Sequence, residues 1–100
     1  MAANQGRHGQ TVDLEEVGRL VEALERDLEK MPGGSPEIQR LKDEVQTLKN
    51  VLDSPVRRQH WVRDGLHGVR ESIENALDAA IAEGMKGGTY IAEIGRILGM

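Results

Sequence analysis

Apolar side chains recur along this chain at helical spacing. Leu14, Val17, Val21, Leu24, Leu28 and Met31 follow one another at intervals of 3, 4, 3, 4 and 3, which places all six on one stripe of a helix. The spacing predicts a helix over about 12–31. Thr11 or Asp13 can cap its start, with Asp13, Glu15 and Glu16 complementing the positive end of the helix dipole. Pro32, Gly33 and Gly34 stop it. Ser35 then offers a cap and Pro36 a first-turn residue, and Ile38, Leu41, Val45, Leu48 and Leu52 repeat the 3 and 4 spacing, predicting a second helix over 36–53. Two heptad-patterned helices joined by so short a turn are expected to fold back antiparallel.

Ser54 and Pro55 repeat the cap-then-proline signal, and Val62, Leu66, Val69, Ile73, Leu77, Ala80 and Gly84 carry a third stripe. A third helix over 55–84 would be roughly 45 Å long and overhang its partners. The alternative is a break at Gly65 or Gly68, since each glycine costs about 1 kcal/mol in a helix interior. Gly87, Gly88 and Thr89 close the third helix and lead into a short fourth over 89–98, with Ile91, Ile94 and Leu98 on one face. The expected fold is all-α: a small helical bundle built on an antiparallel hairpin, a long third helix and a short C-terminal helix. Residues 1–10 are polar and aperiodic and read as a disordered tail, leaving 11–100 as a single helical domain.

Composition narrows what such a bundle can do. With one Trp, one Tyr and no Phe in 100 residues, the core must be aliphatic, and a chain of this size buries only about two-thirds of its unfolded surface. That is thin cover for a deep catalytic pocket. The absence of cysteine removes disulfides, thiolate metal sites and cysteine nucleophiles together. No apolar run reads as a signal peptide or a membrane span, so the expected compartment is the cytoplasm, with no membrane partner. A net charge of −4 disfavours general nucleic-acid binding.

The third stripe leaves two further faces to assign. One carries Trp61, Gly65, Gly68, Ser72, Ala76 and Ala79; small residues three and four apart let another helix approach closely, and a Trp at the end of the row is the kind of side chain that anchors interfaces. This face is expected either to pack inside the monomer or to bind a protein partner or a second copy in a homodimer. The other face holds His60, Asp64 and His67, with Glu71 and Asp78 further along. Imidazole and carboxylate at that spacing have the chemistry of a divalent-metal site, but the face lies opposite the apolar stripe, where a solvated surface is the simpler reading. No metal and no cofactor is therefore expected.

The one basic concentration is the segment 57–70, with Arg57, Arg58, Arg63 and Arg70 against Asp64 alone. Arginine forks suit phosphate and Trp61 suits base stacking, which makes a nucleic-acid-associated regulator the alternative function. The expected first helix, with seven acids against three bases, is a competing partner for these arginines within the fold or across a dimer. The run from Gly84 to Thr89 shares only composition with a phosphate loop, lacking both the residue order and the preceding strand. No nucleophile has a base and orienting partner in the pattern. The function expected is a non-enzymatic protein-protein interaction or self-assembly module, with a metal-binding helical protein as the third reading.

Overall fold

The computed structural model describes residues 12–31, 35–56, 58–82 and 84–99. Its helices are α1 (Leu14–Glu29), α2 (Pro36–Asp53), α3 (Gln59–Asn75), α4 (Leu77–Ala82) and α5 (Gly87–Leu98), and no strand occurs among the described residues. The fold is a small all-α bundle. The tail expected over 1–10 lies outside the described residues, as does Thr11.

Local chemistry accounts for most helix ends. Asp13 caps α1, its carboxylate accepting from the backbone N–H of Glu15 at 2.9 Å and of Glu16 at 3.3 Å. Ser35 caps α2 in the same way, accepting from Glu37 and Ile38, with Pro36 where its missing N–H costs nothing. Gly84 takes a left-handed conformation (φ 94°) that a residue with a Cβ rarely adopts. Its N–H donates to Ile81 and that of Met85 to Ala80, the paired bonds of a Schellman motif, while Met85 and Ala80 are both buried beside it.

The third helix departs from expectation in two places. It begins at Gln59 and not at Pro55, because the Ser54 hydroxyl accepts from the N–H of Val56, two residues on, and so closes a turn where it was expected to cap a helix. It also divides at Ala76, whose dihedrals (φ −103°, ψ 12°) leave the helical range. The break follows Asn75, a residue that competes with the helix for backbone hydrogen bonds. Gly65 and Gly68, the positions named for the alternative of a broken helix, stay helical, and α2 packs directly on them. A Cβ built on Gly65 would lie 2.8 Å from Leu48 Cδ1, and one on Gly68 would lie 2.6 Å from Glu44 Oε1. The final helix starts at Gly87, two residues earlier than the expected 89.

These contacts define the topology. Leu48 opposite Gly65 and Glu44 opposite Gly68 set α2 antiparallel to α3. Gly87 sits against Leu77 and Ile73 at the end of α3, while Arg96, one helix-length on, reaches Glu16 at the start of α1, so α5 runs back against both. The Gln59 side chain donates to the carbonyl of Val12 and accepts from its N–H at 2.8 Å, tying the starts of α1 and α3 together. Thus α1 and α3 run one way, α2 and α5 the other, and α2 and α5 lie between the first two. Leu24, Leu41, Leu48, Leu66, Ile73 and Ile94 are fully buried in one shared aliphatic core.

Tyr90 fastens α5 to α1, its hydroxyl donating to Asp27 Oδ2 at 2.6 Å. Burial pushes the Tyr90 hydroxyl well above its ordinary range, and the bond to the Asp27 carboxylate adds to the effect. A pKa raised on folding stabilises the native state fully below the unfolded tyrosine value of about 10, and that contribution is lost as pH rises towards the folded value. Tyr90→Phe is expected to cost roughly 1 kcal/mol near neutrality, less than a fully buried bond to a charged acceptor because both groups are part-solvated. Urea midpoints measured across alkaline pH would show the wild type alone losing this increment above about pH 10. Ultraviolet titration of the single tyrosine reports the same group directly.

Candidate interaction surface

The turn from α2 into α3 and the first turn of α3 carry two of the three large apolar side chains exposed among the described residues, the third being Ile81 on α4. Val56 is 53% and Trp61 44% exposed. Arg58 precedes the helix in extended conformation, and three residues on, the Trp61 ring comes beneath its guanidinium, whose carbon stands 5.2 Å from the ring centroid. That is cation–π distance. His60 meets the same ring edge-on, with centroids 5.8 Å apart and planes 63° apart. Arg58, Gln59, His60 and Arg63 line an open concavity of about 560 Å³ at this end of the bundle.

The charges around the concavity are unbalanced. No side chain caps α3 and no acidic residue lies in its first turn. Arg63 Nη1 is shielded from solvent and meets no acceptor, as does Arg70 Nε. Arg70 does reach Glu74, at 3.6 Å, whereas Arg63 forms no ion pair among the described residues. Two acids of α1, among the expected partners for the α3 arginines, pair elsewhere: Glu25 with Lys49 of α2 at 3.2 Å and Glu16 with Arg96 of α5 at 2.9 Å. Of the expected basic patch, then, Arg58 and Arg63 converge, Arg70 lies two turns further along, and Arg57 falls outside the described residues.

Most of the small-residue face packs inside the monomer, the first of its two expected outcomes. Gly65 and Gly68 lie under Leu48 and Glu44 of α2, Ser72 and Ala76 are buried, and Ala79 is half-buried against the core. The row is a seam inside the monomer, and of the six residues only Trp61 stands open to a partner. His60, Asp64 and His67 are each exposed, and among the described residues no three His, Asp or Glu side chains gather closely enough to hold a metal ion.

Two contacts escaped sequence reasoning. The Gln59 clamp on Val12 has no local signature, because its partners lie 47 residues apart. The Arg96 clamp, bonded to Glu16 at 2.9 Å and Glu93 at 2.8 Å, was half visible in the i, i+3 spacing of Glu93 and Arg96. Both carboxylates hold the Arg96 guanidinium firmly charged, the Glu93 bond contributing most.

The fold is a small all-α bundle with an open concavity and the exposed Trp61 at the start of α3, and no described helix is long and apolar enough to cross a membrane. In three comparisons, no family model, no curated protein and no solved structure matches the chain.

Proposed function

We propose that this chain is a non-enzymatic interaction module that binds another protein, or a second copy of itself, through the end of the bundle around Val56 and Trp61. The observation that carries the reading is Trp61: the only tryptophan, 44% exposed in an otherwise aliphatic protein, and held in place by Arg58. Aromatic side chains braced in this way bury a large area on association with little loss of rotamer freedom, and Trp and Arg dominate the residues that anchor interfaces. The small-residue seam contributes indirectly, by fixing α3 on α2 so that Trp61 is presented from a rigid helix. A cysteine-free chain of this kind suits a reducing cytoplasm.

Native mass by light scattering over a concentration series tests self-binding, with Trp61→Ala as the comparison. Truncation of this exposed side chain is expected to leave the circular dichroism spectrum and thermal midpoint close to wild type, while shifting the monomer–dimer transition to higher concentration by about tenfold or more. Dimerisation unchanged in Trp61→Ala would overturn this assignment of the surface. A wild type that stays monomeric throughout would leave a different protein as the only partner class.

A further inference from the structure

We propose that the concavity at the start of α3 is a carboxylate-binding site, and that the partner enters it with an acidic segment carrying an apolar anchor. This rests on the interaction reading above and names the partner's chemistry.

The carrying observation is that Arg58 and Arg63 line one concavity and that neither forms an ion pair among the described residues. A ligand seated there meets two guanidinium groups at once, and a carboxylate would supply the counter-charge that the described residues do not. Arg58 is held over the Trp61 ring and forms no ion pair among the described residues, which leaves its N–H groups for an incoming anion. Its position is set before binding, and that lowers the ordering cost of the complex. Among the described residues no carboxylate forms an ion pair with either arginine: Glu25 and Glu16 pair with Lys49 and Arg96, and Glu74 with Arg70.

Two guanidinium forks suit carboxylates, which they can grip through paired N–H···O bonds. An acidic protein segment fits better than a nucleic acid for two reasons. The basic footprint is two guanidinium groups on a chain with net charge −4, too few for the extended run of phosphate contacts by which a nucleic-acid backbone is held. The exposed Trp61 ring against Arg58 also asks for an aliphatic or aromatic side chain on the ligand. The uncapped first turn of α3 adds its partial positive charge to a site already made by side chains.

The experiment titrates the intact chain with three probes, followed by calorimetry and by the fluorescence of its single tryptophan: the blocked hexapeptide LEELEE, its neutral counterpart LQQLQQ, and an oligothymidylate. LEELEE is expected to saturate and perturb Trp61, and LQQLQQ to bind at least about tenfold more weakly, the loss of a charge-assisted pair. Arg63→Ala should weaken LEELEE by about tenfold, with Arg63→Lys, which keeps the charge and loses the fork, falling between. Equal binding of the two peptides, no binding of LEELEE, or an unchanged affinity in Arg63→Ala would overturn the proposal. Oligothymidylate binding more tightly than LEELEE at the same salt would overturn it in favour of nucleic acid. The interaction reading fails separately, because a Trp61→Ala variant that loses association while wild type ignores LEELEE keeps the surface and discards only this ligand chemistry.

Discussion

Leu48→Ala is expected to destabilise the bundle by about 2–5 kcal/mol, towards the upper part of the range for a buried leucine. Leu48 is fully buried near the middle of α2, and the surface opposite its Cδ1 is Gly65, where a Cβ would come within 2.8 Å. A glycine has no side chain that can swing into the space, and the Gly65 backbone is fixed in a helix with Leu66 and Val62 buried on its core side. Relaxation into the cavity is therefore limited, and the cavity term adds to the lost transfer energy. Domains of this size have only about 5–15 kcal/mol to lose, so the variant should stand close to the limit of folding. Urea denaturation checks it: the midpoint should fall sharply at an unchanged slope. A loss under about 1 kcal/mol would mean that α2 and α3 close over the gap, contrary to a rigid seam.

How far the fold could be read in advance depended on what kind of information each feature carries. A stripe such as Val62, Leu66, Val69 and Ile73 states the angle at which a helix meets the core, and all four are indeed buried. Capping residues state where a helix can begin, and Asp13 and Ser35 do cap. Ser54 shows where that logic fails: the same cap-then-proline pair closes a turn, because a hydroxyl two residues before an N–H can satisfy either arrangement. The break at Ala76 was hidden for a related reason. Glycine propensity pointed to Gly65 and Gly68, but propensities of about 1 kcal/mol yield to a neighbour that packs on the glycine, here α2.

The candidate site was legible only in part. Arg58 and Trp61 stand three apart, so their meeting at the start of a helix follows from local geometry. That Arg63 forms no ion pair among the described residues does not, because it depends on which side chains of other helices come within its reach, a property of helix order and packing that no periodicity encodes. The same limit applies to the small-residue row. The wheel grouped Gly65, Gly68, Ser72 and Ala76, but what covers them is a tertiary question: α2 lies on Gly65 and Gly68, and Ser72 and Ala76 are buried within the monomer.

Gly65→Leu turns that distinction into a measurement. The new Cβ would start 2.8 Å from Leu48 Cδ1 and 3.5 Å from Leu48 Cβ and Cγ, and the rest of the side chain would have to enter a filled core. Overpacking of this kind costs about 1–3 kcal/mol, against which leucine regains up to about 1 kcal/mol of helix propensity over glycine. With the full propensity gain, a net loss of about 0–2 kcal/mol is expected on these figures. Combined with Leu48→Ala, the larger residue at 65 occupies the space vacated at 48, so the double variant should be more stable than the sum of the singles by at least about 1 kcal/mol, as contacting residues allow. Additive losses would place Leu48 and Gly65 out of contact. Native mass adds the functional half of the test. A seam buried within the monomer predicts that Gly65→Leu lowers stability and leaves association intact under conditions where the variant is folded. Trp61→Ala should do the reverse, because its side chain adds little to the core and most of its exposed ring is available to a partner. If Gly65→Leu instead abolished association without a loss of stability, the glycine row would have to be returned to the interface and α2 moved off it.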